Sequence, residues 1–109
     1  VIDPYSVLRM ATIGGAKALG LDSTCGTIEV GKQADLILVD MNTIHNQPVN
    51  DIFSQIVHCA KASDVETVIV NGEMLMRDRE LTQLDAKKIL ADAKVAHLDL
   101  MERLSGLSF

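Results

Sequence analysis

The side chains that could do chemistry are few: three histidines, two cysteines and a set of carboxylates in a chain of 109 residues. His45, His58 and His97 are scattered, and no His-x-His, His-Glu-x-x-His or Cys-x-x-Cys occurs. Those spacings set imidazoles or thiolates on one face of an element, so that they converge on one ion. His58 and Cys59 are neighbours in a helical pattern, and adjacent helical side chains diverge by about 100°. His97 falls on an apolar helical stripe and reads as a core or interface histidine. His45 stands in a loop beside Asn46 and Gln47. It has the best claim to a role, and loop structure is the simpler use for it.

Paired acids can serve acid–base catalysis when they share a pocket. Asp35 and Asp40 bracket Leu36-Ile37-Leu38-Val39. In an extended strand they point to opposite faces, roughly 16 Å apart, so they read as strand-end acids. Asp85, Asp92, Asp99 and Glu102 read as surface charges on a helix. The glycines form neither G-x-x-x-x-G-K-[ST] nor G-x-G-x-x-G, which excludes a patterned phosphate loop. No catalytic, cofactor-binding or metal-ligating residue is assigned in this chain.

The elements that would carry these residues follow from pattern. Asp3 caps a first helix, with Pro4 at its first position, where the missing N–H costs nothing. That helix ends at Gly20. Gly14-Gly15 inside it is unfavourable by about 1 kcal/mol per glycine, which suggests close approach of another backbone. Thr24 to Val30 reads as a short strand, Gly31-Lys32-Gln33 as a turn, and Leu36 to Val39 as a strand covered on both faces. Asn50 or Asp51 caps a short helix from Ile52 to Ala60. Val65 to Val70 and Glu73 to Arg77 form a hairpin across Asn71-Gly72, the pair suited to a type I′ turn. Thr82 to Asp85 reads as a capping box. It opens a final helix of about 22 residues, roughly 33 Å long, with Ala86, Ile89, Leu90, Ala93, His97, Leu100, Met101 and Leu104 on one face.

The resulting expectation is an α+β fold: one small sheet, an N-terminal helix, a short middle helix and a long C-terminal helix. It is one domain of residues 1–109, comprising a helix at 1–22, a β-unit at 24–80 and a helix at 81–106. Apolar residues make up 48% and aromatic residues 3%, so the core must be aliphatic, with few platforms for stacking bases. A net charge of −5 repels phosphate backbones and anionic lipids. Neither nucleic acid nor membrane is an expected partner, and no apolar run approaches a membrane span. The start, Val1-Ile2-Asp3-Pro4, has no signal-peptide pattern and no initiator Met, and so suggests a partial chain. Cys25 and Cys59, 34 residues apart, are expected as two buried thiols in a cytoplasmic protein, a disulfide between them being the alternative.

Three stretches resemble one known family. Gly26-Thr27-Ile28-Glu29-Val30-Gly31-Lys32-Gln33-Ala34-Asp35-Leu36-Ile37-Leu38-Val39-Asp40 resembles the "G-x-I-x-x-G-K-x-A-D-L-x-x-x-D" stretch near the C-terminus of amidohydrolase-superfamily enzymes. Met10 to Leu21 resembles the helix after their last barrel strand, and Val65 to Met76 their "V-x-x-V-x-V-x-G" hairpin. The order agrees over residues 4–96. Ile44-His45-Asn46-Gln47-Pro48 and Asp51 to Val57 look most like the aminohydrolase and chlorohydrolase branch, which includes S-adenosylhomocysteine and methylthioadenosine deaminases.

The resemblance implies a parent that holds a divalent metal, zinc or iron, in a (β/α)₈ barrel. There the metal activates water to attack a carbon bearing an amino group or chlorine. It implies that this chain is the C-terminal, non-catalytic portion: a barrel-flanking helix, half of a β-sandwich and C-terminal helices, with no complete barrel and no cofactor of its own. The alternative is a stand-alone structural or interaction module. In either case a homodimer through the last helix and the open sheet face is the expected partnership.

Overall fold

The structure, a computed structural model, describes residues 1–106. Its first helix starts as Asp3 dictates: the Asp3 carboxylate accepts from the Ser6 amide at 3.0 Å and from Ser6 Oγ at 2.7 Å. Helix α1 (Pro4–Arg9) runs through a π-helical stretch, Met10–Gly14, into α2 (Gly15–Ala18). The wide turn has a local cause. Thr12 Oγ1 donates back to the Leu8 carbonyl at 2.8 Å, a bond that bends helices, and glycine suits the wide turn because a Cβ at Gly14 would lie 3.1 Å from the Arg9 carbonyl oxygen. Contrary to expectation, no backbone outside its own helix approaches the glycine pair among the described residues. Gly20, at φ +70, closes the helix. The Leu21 amide donates to the Ala16 carbonyl and the Gly20 amide to that of Lys17, the two bonds of a Schellman stop.

The close approach expected at Gly14-Gly15 occurs at Gly26 instead. A Cβ there would sit 2.8 Å from Ala16 Cβ and 3.0 Å from Ile13 Cα, and its φ is +94. Residues 24–30 therefore form no strand; they are turns and bends folded against α2. The extended reading fails because positive φ at Gly26, inside the stretch, and at Gly31, just after it, breaks the extended path.

The sheet is a four-stranded antiparallel meander in the order β1-β2-β3-β4: β1 Leu36–Val39, β2 Val65–Val70, β3 Glu73–Arg77 and β4 Glu80–Leu81. Asn71 (φ 50) and Gly72 (φ 80) make the two-residue turn between β2 and β3, with Val70 opposite Glu73. A second two-residue turn, Asp78 (φ 50) and Arg79 (φ 64), leads into β4, which sequence pattern did not show. Strand β1 is an edge, and the described residues cover it only at its ends. Ile37 and Leu38, on opposite faces, are 57% and 53% exposed.

Between β1 and β2 the chain makes a 3₁₀ turn, Ile44–Asn46, then α3 (Ile52–His58), then a second 3₁₀ turn, Ala62–Asp64. Asp51 caps α3, accepting from the Ser54 amide at 2.8 Å. Tyr5 of α1 meets Phe53 of α3 edge to face at 5.1 Å, which holds the two short helices together. Helix α4 (Ala86–Ser105) begins later than expected. Asp85 is itself the N-cap, accepting from the Lys88 amide, rather than the third residue of a capping box. Every described residue from Arg77 onward is exposed. His97 is accordingly not a core residue.

Among the described residues, Ala16 is the one buried apolar side chain. The radius of gyration is 19.6 Å and the longest extent 56 Å, against about 13 Å for the radius of a compact domain of 100 residues. Secondary structure is well formed, while most large apolar side chains are only partly covered by the described residues.

Candidate functional site

The densest polar cluster is built on Asp64, which is 2% exposed at the end of the 3₁₀ turn leading into β2. Its Oδ2 accepts the Lys61 amide at 2.8 Å and Asn46 Nδ2 at 2.9 Å, and His45 Nε2 lies 2.7 Å away. An ionised carboxylate only accepts, so His45 carries a proton on Nε2 and donates it. The Lys61 amide first, then His45 and Asn46, pull the Asp64 pKa down to about 2 against the effect of burial. Asn46 is fully buried and also donates to Thr43 Oγ1 at 2.8 Å. Its amide orientation is fixed by Asp64, since a carbonyl oxygen there would face a carboxylate.

Around this hub lies a second layer. The Asp40 amide donates to the Asp64 carbonyl at 2.7 Å. Arg79 donates from Nε to the Ser63 carbonyl and from Nη2 to Asp40 Oδ2, both at 3.0 Å. The Asn42 amide first and Arg79 next lower the Asp40 pKa. A non-glycine residue at positive φ is strained, and these bonds hold Arg79 in that conformation. The cluster thus ties together the end of β1, the loop carrying His45, the start of β2 and the turn before β4. Gln55 of α3 joins it by donating to the His45 carbonyl at 3.2 Å.

The arrangement is a clasp rather than a reaction centre. His45 donates to a carboxylate that also accepts from the Lys61 amide and from Asn46, and the hydroxyl near its ring, Thr43 Oγ1 at 3.4 Å, itself accepts from Asn46. His58 lies at the end of α3 and His97 on α4, so the three histidines do not meet. Asp35 and Asp40 sit at the two ends of β1 with separate partners, Asp35 accepting the Asn71 amide at 2.6 Å. Cys25 and Cys59 are free thiols. Among the described residues no three His, Cys, Asp or Glu side chains are placed to hold a metal ion; these residues do not fit a catalytic metal. The sequence offered little sign of the Asp64 hub, because its partners lie far from it along the chain.

The other feature is apolar. A cleft of about 520 Å³ opens between α2 and the segment before β1, lined by Ala16, Leu19, Leu21, Cys25, Ile28 and Leu36. Its polar lining is Thr12, Thr27 and Asp35; Thr27 Oγ1 accepts from Lys32 and Asp35 Oδ1 from the Asn71 amide, so the cleft is mainly a packing surface rather than a substrate site.

The amidohydrolase family's sequence profile matches residues 1–75. This chain belongs to the amidohydrolase family. It is 52% identical over 91 residues to the 5-methylthioadenosine/S-adenosylhomocysteine deaminase of Moorella thermoacetica, covering 84% of this chain and 21% of that protein. It is 46% identical over 100 residues to the 5'-deoxyadenosine deaminase of Methanosarcina barkeri, covering 92% and 23%. Among solved structures, the zinc-bound adenosine deaminase of Xanthomonas campestris superposes with a TM-score of 0.83 and 36% identity, over 96% of this chain and 23% of that one. The zinc complex of atrazine chlorohydrolase from Arthrobacter aurescens gives 0.76 and 26%, over 85% and 20%. The chain therefore spans about a fifth of the length of the amidohydrolases it matches, and no barrel occurs among its described residues.

Proposed function

We propose that this chain is the non-catalytic C-terminal part of a cytoplasmic, metal-dependent deaminase that acts on an adenosine-type nucleoside. One observation carries the reading: well-formed elements with a single buried apolar side chain, Ala16, among the described residues. A unit that orders its backbone while leaving both faces of β1 and all of α4 bare is made to be covered by more protein. The four fifths of each relative that this chain does not match is the natural cover. In this reading the metal and its ligands belong to that remainder, where the metal makes bound water nucleophilic. This chain supplies the helix α1–α2, a sheet, and the Asp64 clasp that ties the end of β1 and the start of β2 to the loop carrying His45.

The test is direct. The purified chain, dialysed against zinc and then against buffer, should retain no stoichiometric metal and release no ammonia from 5-methylthioadenosine. Its addition to a metal-binding amidohydrolase barrel expressed without this segment should restore solubility and turnover. Turnover by the chain alone would refute the assignment.

A second reading, a self-associating module, has one feature in its favour. Leu90, Ala93, His97, Leu100 and Leu104 recur at alternating spacings of three and four along α4, the period of a two-helix seam. A second copy presents the same seam, and twofold pairs are the commonest assemblies.

A further inference from the structure

The turn Asn71-Gly72 is the one place where an asparagine precedes glycine in this chain; Asn42, Asn46 and Asn50 precede Thr43, Gln47 and Asp51. Glycine lacks the Cβ that shields its amide nitrogen, and both turn residues are exposed. The surroundings are specific. The Asn71 amide is held by Asp35 Oδ1 at 2.6 Å, and the Gly72 amide donates to the Ala34 carbonyl at 3.0 Å. Asn71 itself is at φ 50. The two residues before β1 thus grip both amides of the turn.

We propose that Asn71 is a spontaneous deamidation site, kept latent by this grip and exposed to reaction whenever the hairpin opens. In the reaction the Gly72 amide nitrogen, having lost its proton to base, forms a bond to Asn71 Cγ. The Cγ–Nδ2 bond breaks and ammonia leaves with the proton, giving a five-membered succinimide. Water then opens either ring carbonyl, so that aspartate or isoaspartate replaces asparagine. No oxidant or reductant is involved.

The folded turn blocks the first step, because the Gly72 N–H is committed to Ala34 and the αL backbone at Asn71 fixes the chain in its tight turn. Conversion has a structural consequence. It sets a new carboxylate on the residue whose amide Asp35 already holds. Isoaspartate also adds a backbone carbon to a two-residue turn that fixes the β2–β3 register. Modification therefore loosens β1 from the hairpin, and the loosened hairpin leaves the site open.

The experiment is peptide mapping by mass spectrometry after incubation in mildly alkaline buffer, resolving Asn, Asp and isoAsp at position 71. The intact chain is compared with a synthetic peptide of residues 68–77, which has no grip. The chain should convert more slowly than the peptide, and Asp35→Ala should accelerate it about fivefold or more, as loss of a local hydrogen bond raises the open population. Asp35→Asn, which keeps an acceptor, should restore the slow rate, and Gly72→Ala should suppress conversion in chain and peptide alike. Equal rates in chain and peptide, an Asp35→Ala rate unchanged from the parent, or earlier modification at Asn42, Asn46 or Asn50 would each overturn the proposal. None of these outcomes depends on the activity of the complete enzyme.

Discussion

Gly26→Ala should be the most damaging single-methyl change in the chain. Two costs add. The first is backbone: φ at Gly26 is +94, and an L-residue held at positive φ costs about 1–2 kcal/mol. The second is volume. The new Cβ would lie 2.8 Å from Ala16 Cβ, 3.0 Å from Ile13 Cα and 3.2 Å from Ile13 Cδ1, where carbon atoms prefer about 3.5–4.0 Å. Overpacking of this kind costs about 1–3 kcal/mol, for a sum of about 2–5 kcal/mol.

Gly72→Ala provides the control: its φ is +80 but nothing lies within 4 Å of the added carbon, so only the backbone cost of about 1–2 kcal/mol applies. Native-state hydrogen exchange reads the difference locally. The amides of Leu21, Cys25 and Gln33 bond to the carbonyls of Ala16, Leu21 and Thr24 and should lose protection at least about thirtyfold in Gly26→Ala. Ala16→Gly in the same chain should recover part of the loss, because it removes the nearest of the three contacts and leaves the two to Ile13. The expected coupling is about 0.5–3 kcal/mol. Equal losses for Gly26→Ala and Gly72→Ala, or strict additivity with Ala16→Gly, would refute the packing argument.

Acid should release the Asp64 clasp. The folded carboxyl sits at about 2 against an ordinary 3.8. Its contribution is therefore complete above pH 3.8 and is lost as pH falls toward 2; exchange at the Lys61 and Asp40 amides, followed from neutral pH downward, should show it, and Asp64→Asn should flatten that dependence. His45→Phe should also loosen the loop at residues 41–51 without affecting α4, as amide exchange in the two segments would show; parallel loss in both would refute a local clasp. If α4 pairs with a second copy, sedimentation velocity of the 11.8 kDa chain should show a concentration-dependent dimer that Leu100→Asp abolishes, whereas a monomer at all concentrations would remove that reading.

How much was legible in the sequence depended on how local each decision is. Asp3 with Pro4, Gly20, Asp51 and Asn71-Gly72 act on backbone groups within a few residues, and each did in the structure what its chemistry prescribes. The ordered stretches from Met10 to Met76 likewise carried the family resemblance, because the spacing of glycines and apolar runs is written in the chain itself. Tertiary structure decided the rest. Thr24 to Val30 reads as a short strand, and only its contact with Ile13 and Ala16 through Gly26 shows that it packs as a bent segment. Leu36 to Val39 reads as covered because it is apolar, yet an apolar strand records the need for a cover and not which chain supplies it. Asp64, the turn at Asp78-Arg79 and the strand β4 went unseen for a related reason. Asp64 is made a hub by His45 and Asn46, and Arg79 is held at positive φ by Ser63, Glu66 and Asp40. Partners so distant along the chain leave no periodicity in it; only the folded backbone brings them within reach of a hydrogen bond.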